Sequence, residues 1–120
     1  MLEELNHADY DFVSKIMGNP IDHEKICGNA FSFPLQESQY LNYFVNNAGD
    51  ENERLCFKYS HGGKYLGIVS FTRIDKNNDY GHIGIVAVDS SARGKGYGES
   101  MITEMLHKGF EELGFNRIVL

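Results

Sequence analysis

The chain has 120 residues, which is enough for one domain and too few for two. Hydrophobic residues make up 42% and charged residues 23%, a globular composition that excludes a disordered chain. The formal net charge of −6 argues against a nucleic-acid binder, and no apolar run is long enough to cross a membrane. The N-terminus lacks the features of a signal peptide, so we expect a cytoplasmic protein whose two cysteines stay reduced.

Helical periodicity predicts two helices in the first part of the chain, over residues 7–17 and 36–48. The Gly18-Asn19-Pro20 segment ends the first helix, and Gly49 ends the second. The apolar positions are Ala8, Phe12, Val13 and Ile16 in the first helix, and Tyr40, Leu41, Phe44 and Val45 in the second.

Three strands are predicted next, over residues 54–60, 65–74 and 80–88. A Gly-Gly turn separates the first two, and a polar loop over residues 75–79 separates the second from the third. These strands should form an antiparallel meander. The third strand ends in consecutive apolar residues, which indicates that both of its faces are covered.

A glycine-rich segment, residues 90–98, leads into a predicted amphipathic helix that ends near Gly114. Residues 115–120 begin a further strand, which a β-α-β connection should place parallel to the third strand of the meander. We therefore expect one α/β (α+β) domain over residues 1–120, with a mixed, mostly antiparallel sheet. The apolar face predicted for the helix comprises Ile102, Met105, Leu106, Phe110 and Leu113.

Residues 89–98, Asp-Ser-Ser-Ala-Arg-Gly-Lys-Gly-Tyr-Gly, combine three features of an anion site. Closely spaced glycines leave main-chain N–H groups unshielded, and the following helix directs its positive end at the same place. Arg93 and Lys95 add positive charge. The Gly-x-Gly-x-Gly spacing matches neither a dinucleotide fingerprint nor a P-loop. The alternative is a glycine-rich turn that only caps the helix.

The segment from Ile85 to Gly98 resembles motif A of the GNAT N-acetyltransferase superfamily. That motif is an apolar strand followed by Arg/Gln-x-x-Gly-x-Gly/Ala at the start of a helix. Arg93, Gly96 and Gly98 match it position by position, and the order of the predicted elements is similar to that of the superfamily. Gly67 and Gly84 also resemble residues of its middle strands.

The resemblance implies acetyl transfer from acetyl-coenzyme A (acetyl-CoA) to a primary amine of a small molecule or peptide, by direct attack on the thioester. Main-chain N–H groups of the glycine-rich turn would hold the pyrophosphate, and the end of the third strand would pair with the pantetheine amides. The implied binding residues are Val86, Ala87, Val88, Arg93, Gly94, Lys95, Gly96, Tyr97 and Gly98.

The sequence departs from the superfamily pattern at two points. Ser90 stands where a proline is common, and the sequence stops at Leu120, where superfamily members continue into a helix and two strands. That part usually carries a tyrosine proposed as general acid. We therefore expect a domain incomplete at its C-terminus that forms a homodimer or is marginally stable. The alternative functions are a non-catalytic acyl-CoA-binding module and an interaction domain.

His82 lies on the third strand, where a glutamate acts as general base in several branches of the superfamily. An imidazole exchanges protons near neutral pH, so His82 is our candidate base. The alternative is a half-buried structural histidine. The segment His23–Cys27 falls short of a zinc motif, and we expect no metal site. Aromatic residues between Phe31 and Phe44 should form core, with some of them facing an acceptor.

Overall fold

The computed structural model describes residues 1–17, 35–45 and 54–120. They form a five-stranded sheet in which the strand order β1-β2-β3-β4-β5 follows the chain. The strands are β1 (Leu2–Glu4), β2 (Leu55–His61), β3 (Lys64–Asp75), β4 (Tyr80–Val88) and β5 (Arg117–Val119); the helices are α1 (Tyr10–Met17), α2 (Glu37–Tyr40, extended by a π-helical turn over Leu41–Val45) and α3 (Tyr97–His107, extended by a π-helical turn over Lys108–Glu112).

The predicted fold class is confirmed. Strands β2, β3 and β4 pair in antiparallel fashion as a meander. Strand β5 pairs with β4 in parallel, as the β-α-β connection requires. The described part of the predicted 36–48 helix is also helical. Residues 46–48 and the segment 18–34, which contains the predicted end of α1, lie outside the described residues.

Strand β1 was not predicted, because three residues carry no usable alternation. It forms at the edge of the sheet by pairing with β2, where Leu2 lies opposite Tyr59. The amide of Leu5 continues this ladder with a 2.9 Å bond to the carbonyl oxygen of Cys56. The strand therefore depends on a partner that is distant in sequence.

Helices cover both faces of the sheet, and each face has its own core. Val13 and Tyr40 are fully buried in the core beneath α1 and α2, where Ile85 and Ala87 of β4 also pack. The hydroxyl group of Tyr40 donates a 2.6 Å hydrogen bond to the carbonyl oxygen of Asn6, which satisfies its polar end inside that core. The second core lies beneath α3.

The buried side of α3 differs from the predicted one. Met101 and Met105 are fully buried against the sheet, whereas Phe110 and Leu113 of the predicted face are 46% and 38% exposed. The helix is thus rotated about its axis relative to the predicted orientation. Close contact at Gly109 contributes to this rotation, because a Cβ there would lie 2.5 Å from the Cδ1 of Ile118. The helix therefore approaches the sheet along the Met101–Met105–Gly109 line, and part of its apolar stripe is left at the surface.

Candidate functional site

The turn between β4 and α3 is shaped by two glycines in the left-handed region of backbone conformation. Gly94 has a φ of +80° and Gly96 a φ of +81°, values that other L-residues rarely adopt. A Cβ built on either residue would meet no atom within 4 Å, so open space lies beside this stretch of backbone. An anion can therefore approach the main chain without meeting side chains.

Helix α3 begins at this turn. Its first intrahelical bond runs from the amide of Ser100 to the carbonyl oxygen of Gly96, at 3.1 Å. The amides of Tyr97, Gly98 and Glu99 precede that bond and have no acceptor within the helix. These donors, together with the positive end of an 11-residue helix, face the turn. The backbone thus has the geometry that an anion cradle requires, and binding of an anion there stays a prediction.

The predicted cationic side chains contribute unequally. The Nε of Arg93 donates a 3.2 Å bond to the carbonyl oxygen of Val88, which ties the turn back to the end of β4. Lys95 is exposed beside the two glycines. The ring of Tyr97 lies 5.3 Å from that of His61, between centroids, so its side chain packs near the end of β2 while its amide stays at the turn.

The outer edge of β4 changes character along the strand. Its pairing with β5 covers Tyr80 to His82 and does not extend to the second half of the strand. Ile85 and Asp89 direct their amides toward β3, so strand alternation turns the N–H and C=O groups of Val86 and Val88 to the outer edge. Those groups suit an extended ligand that carries amides.

A β-bulge divides β4 at the same place. Val86 lies opposite Val69 and Ile83 opposite Phe71, so β4 has one more residue than β3 in this interval. The buried hydroxyl group of Ser70 accepts a 3.0 Å bond from the amide of Ile85 and so stabilises the bulge.

The start of α3 rests closely on the strand ends. A Cβ on Gly98 would lie 3.9 Å from the Cγ2 of Val88, an ordinary contact. A Cβ on Gly67 of β3 would lie 2.7 Å from the carbonyl oxygen of Ala87 and 2.9 Å from the Sδ of Met101, which real structures do not tolerate. Gly67 thus permits the close approach that brings the cradle to the end of β4.

His82 lies on β4 opposite Thr72 of β3 and Val119 of β5. It is half-buried, its ring stands edge-on to that of Tyr80 at 5.8 Å, and its Nδ1 is buried without a hydrogen-bond partner among the described residues. Six residues of strand separate it from Val88, a distance of about 20 Å. The sequence-predicted base and cradle therefore lie at opposite ends of one strand.

One residue of the site was missed by the sequence reasoning. Asp89 directly follows β4 and is 8% exposed. Its carboxylate accepts a 3.0 Å bond from the amide of Ser91 and a 2.9 Å bond from the Ser91 hydroxyl group. An aspartate two residues before a serine at the start of a turn is a recognisable capping signal that could have identified it.

The remaining candidate groups offer no alternative chemistry in the described part of the chain. Burial raises the pKa of the Cys56 thiol to about 12, which makes it a poor nucleophile. No three metal-ligating side chains lie together within residues 1–17, 35–45 and 54–120, and the His23–Cys27 segment and Phe31 lie outside those ranges. None of the described helices has the length and apolar character of a membrane span.

The meander, the glycine-rich turn, α3 and the parallel β5 define an acetyltransferase-type α/β fold, as comparison with solved structures shows. Spermidine N-acetyltransferase from Vibrio cholerae, in complex with CoA and spermine, superposes with a TM-score of 0.74 at 18% sequence identity. A chimera of the Vibrio cholerae enzyme SpeG and hSSAT gives a TM-score of 0.73 at 18% identity. The chain is covered to 98% in both cases and spans 68% and 67% of those chains.

The sequence itself identifies the family. The model of the acetyltransferase (GNAT) family matches residues 21–120, and the chain belongs to that family. The resemblance of the Arg93–Gly98 segment is thereby confirmed at the level of the family. A comparison with curated proteins found no match.

Proposed function

We propose that this protein is an acetyl-CoA-dependent N-acetyltransferase that acts on a primary amine. The observation that carries the proposal is the juxtaposition of the backbone cradle at Gly94–Gly98 with the outer edge of β4. A phosphate group needs the first, and an arm that carries amides needs the second.

In this proposal the amides from Arg93 to Gly98 hold the pyrophosphate of CoA, and Val86 and Val88 pair with the pantetheine arm along β4. The carbonyl oxygen of Val88 already accepts a bond from Arg93, so that contact would exchange when the arm pairs there. Ala87 contributes by packing, since its buried side chain lies in the core beneath α1 and α2 and supports β4 there.

The reaction is a direct transfer. The neutral amine nitrogen attacks the thioester carbonyl carbon and forms the C–N bond, and the C–S bond breaks. The nitrogen gives up one proton, and the sulfur leaves as a thiolate that takes up one proton to become the thiol of CoA. A main-chain N–H near the carbonyl oxygen would stabilise the developing negative charge. Direct attack is favoured over a covalent intermediate because the described cysteine, Cys56, is buried with a raised pKa.

We assign to His82 the role of general base for the ammonium form of the acceptor. The family resemblance places a base at this position of β4, and His82 as a whole is only half-buried, so an acceptor can approach it. His82→Ala should lower turnover by about 10²–10⁴, the contribution typical of a general base. His107→Ala is the control, because that exposed histidine pairs with Glu111 on α3; equal effects of the two variants would refute the assignment.

The acceptor panel should begin with polyamines. The net charge of −6 favours a cationic substrate, and the structural neighbour from Vibrio cholerae is in complex with spermine. Lysine-containing peptides complete the panel, because a peptide amine fits the same chemistry.

The decisive test separates binding from catalysis. Calorimetry with CoA should detect binding to the wild-type protein, and Gly96→Glu and Gly98→Glu should each abolish it by placing a carboxylate in the cradle. Gly62→Glu, in the exposed β2–β3 turn at a φ of +61°, is the matched control. Unchanged affinity in both cradle variants would overturn the cofactor site. Binding without thiol release from acetyl-CoA across the panel would instead indicate a non-catalytic acyl-CoA module.

A further inference from the structure

Asp89 is held at three points where β4 leaves the sheet. Its amide donates a 2.7 Å bond to the carbonyl oxygen of Leu66, which adds one step to the β3–β4 ladder. Its carbonyl oxygen accepts a 2.9 Å bond from the amide of Ala92, and its carboxylate caps Ser91 through two further bonds. The sequence of contacts runs directly from the sheet into the 3₁₀ turn over Ser90–Ala92.

The direction of the chain toward the cradle follows from these contacts. Ala92 is 3% exposed, so the 3₁₀ turn is anchored in the protein before the chain reaches Arg93 and the two left-handed glycines. Gly94 and Gly96 have no Cβ to fix their position against neighbours, and nothing lies within 4 Å of where a Cβ would be. Their placement therefore depends on the residues that precede and follow them.

We propose that Asp89 is a positioning residue for the phosphate cradle, acting by capping Ser91 so that the amides after Arg93 are held ready for a pyrophosphate. This inference rests on the proposed function, since it assigns Asp89 a role in the same coenzyme A site.

Electrostatics argues that Asp89 acts through geometry and not through its charge. The hydrogen bonds from Ser91, its amide above all, lower the pKa of the Asp89 carboxyl group, so the group is ionised at neutral pH. A carboxylate close to an anion site repels the ligand. Lys15 lies 3.8 Å from the carboxylate, but its side chain is 76% exposed and screens little of that repulsion. The cap is what the aspartate contributes.

Two substitutions separate the cap from the charge. Asp89→Asn keeps an oxygen that accepts from the Ser91 amide and removes the charge, so CoA should bind at least as tightly as in the wild-type protein. Asp89→Ala removes the cap. Loss of a cap typically changes the equilibrium constant for the capped conformation by a factor of about 2–30, so we expect CoA to bind about tenfold more weakly. Ser91→Ala, which removes only the hydroxyl donor from an exposed residue, should weaken binding about threefold.

The matched control is Asp75→Ala. The carboxylate of Asp75 accepts 3.0 Å bonds from the amides of Asn77 and Asn78 in the β3–β4 turn, a cap of the same kind at the far end of β4. Its loss should lower the melting temperature without changing the Kd for CoA.

The experiment is calorimetric titration of the full chain with CoA, with thermal melts in parallel. Weaker binding in Asp89→Ala, restored in Asp89→Asn and absent from Asp75→Ala, supports the inference. Wild-type affinity in Asp89→Ala overturns it, and if that variant does not fold, weakened CoA binding in Asp89→Asn does so, because Asn keeps the cap and removes only the charge. Equal weakening in Asp89→Ala and Asp89→Asn also overturns it, since the charge would then be the active feature. Failure of the wild-type protein to bind CoA overturns the proposed function itself.

Discussion

Alanine should have opposite effects at the two glycines that begin α3. Gly96 has a φ of +81°, and an L-residue in the left-handed region costs about 1–2 kcal/mol. Gly98 lies in the first helical turn, where a Cβ would make an ordinary 3.9 Å contact with Val88. Replacing glycine by alanine within a helix stabilises it by about 0.5–1 kcal/mol.

The free energy of unfolding should therefore fall by about 1–2 kcal/mol in Gly96→Ala and rise by about 0.5–1 kcal/mol in Gly98→Ala. For a domain of this size 1 kcal/mol corresponds to roughly 4 °C in melting temperature, so the two variants should differ by roughly 6–12 °C. Thermal melts followed by circular dichroism, with urea titrations as a second measure, test the difference.

CoA affinity should follow the same order, because a displaced Gly96 moves the amides of the cradle, whereas the motif admits alanine at the position of Gly98. Gly62→Ala is the control, since its φ of +61° carries the same strain in an open turn on another part of the sheet. It should lower the melting temperature and leave CoA binding unchanged. Shifts of the same sign in Gly96→Ala and Gly98→Ala would refute the reasoning.

Three further predictions concern packing, charge and association. Gly67→Ala should destabilise the fold by about 1–3 kcal/mol in urea titrations, because its Cβ would lie 2.7 Å from a backbone oxygen, and a neutral effect would contradict the geometry. Lys58→Met should lower the free energy of unfolding by about 3 kcal/mol, because it removes the buried partner of the Asp9 carboxylate. The Lys58 ammonium lies 2.9 Å from that carboxylate. The hydrogen bond from Lys58 to Asp9 raises the Lys58 pKa above its ordinary value of 10.5. The stabilisation by this pair is therefore full below about pH 10.5 and is lost as the pH rises through the pKa of Lys58 in the folded protein. Thermal melts of the wild-type protein at increasing pH should show that loss, and melts of Lys58→Met should not. Phe110, 46% exposed on α3, should promote a homodimer whose molar mass by light scattering rises with concentration and falls in Phe110→Glu; a monomer at every concentration would contradict this.

The sequence predicted the elements whose signals are local. The bounds of β4 were predicted to the residue, because an apolar run is delimited by a polar loop on one side and the glycine-rich turn on the other. The cap at Gly114 was also predicted, and its φ of +74° confirms it. Signals of this kind are carried by single residues and need no knowledge of their partners.

Features that depend on distant contacts were not predicted. The π-helical turn at the end of α3, closed by a 3.0 Å bond from the amide of Leu113 to the carbonyl oxygen of Lys108, occurs where Gly109 packs against Ile118. Helical periodicity assumed an unbroken α-helix there and so misplaced the buried face. In the site, the position of His82 on β4 was predicted, whereas the function of its imidazole stays a prediction.

The bulge in β4 also limits how a ligand can lie along the strand. A ligand strand pairs continuously only while donors and acceptors alternate at a constant interval, and the extra residue at Gly84–Ile85 breaks that interval. An extended ligand that starts at Val88 can therefore follow β4 only as far as the bulge before it must turn away. The Ser70 hydroxyl group stabilises the bulge, so β4 would limit the length of the ligand's extended arm as well as select for its amide groups.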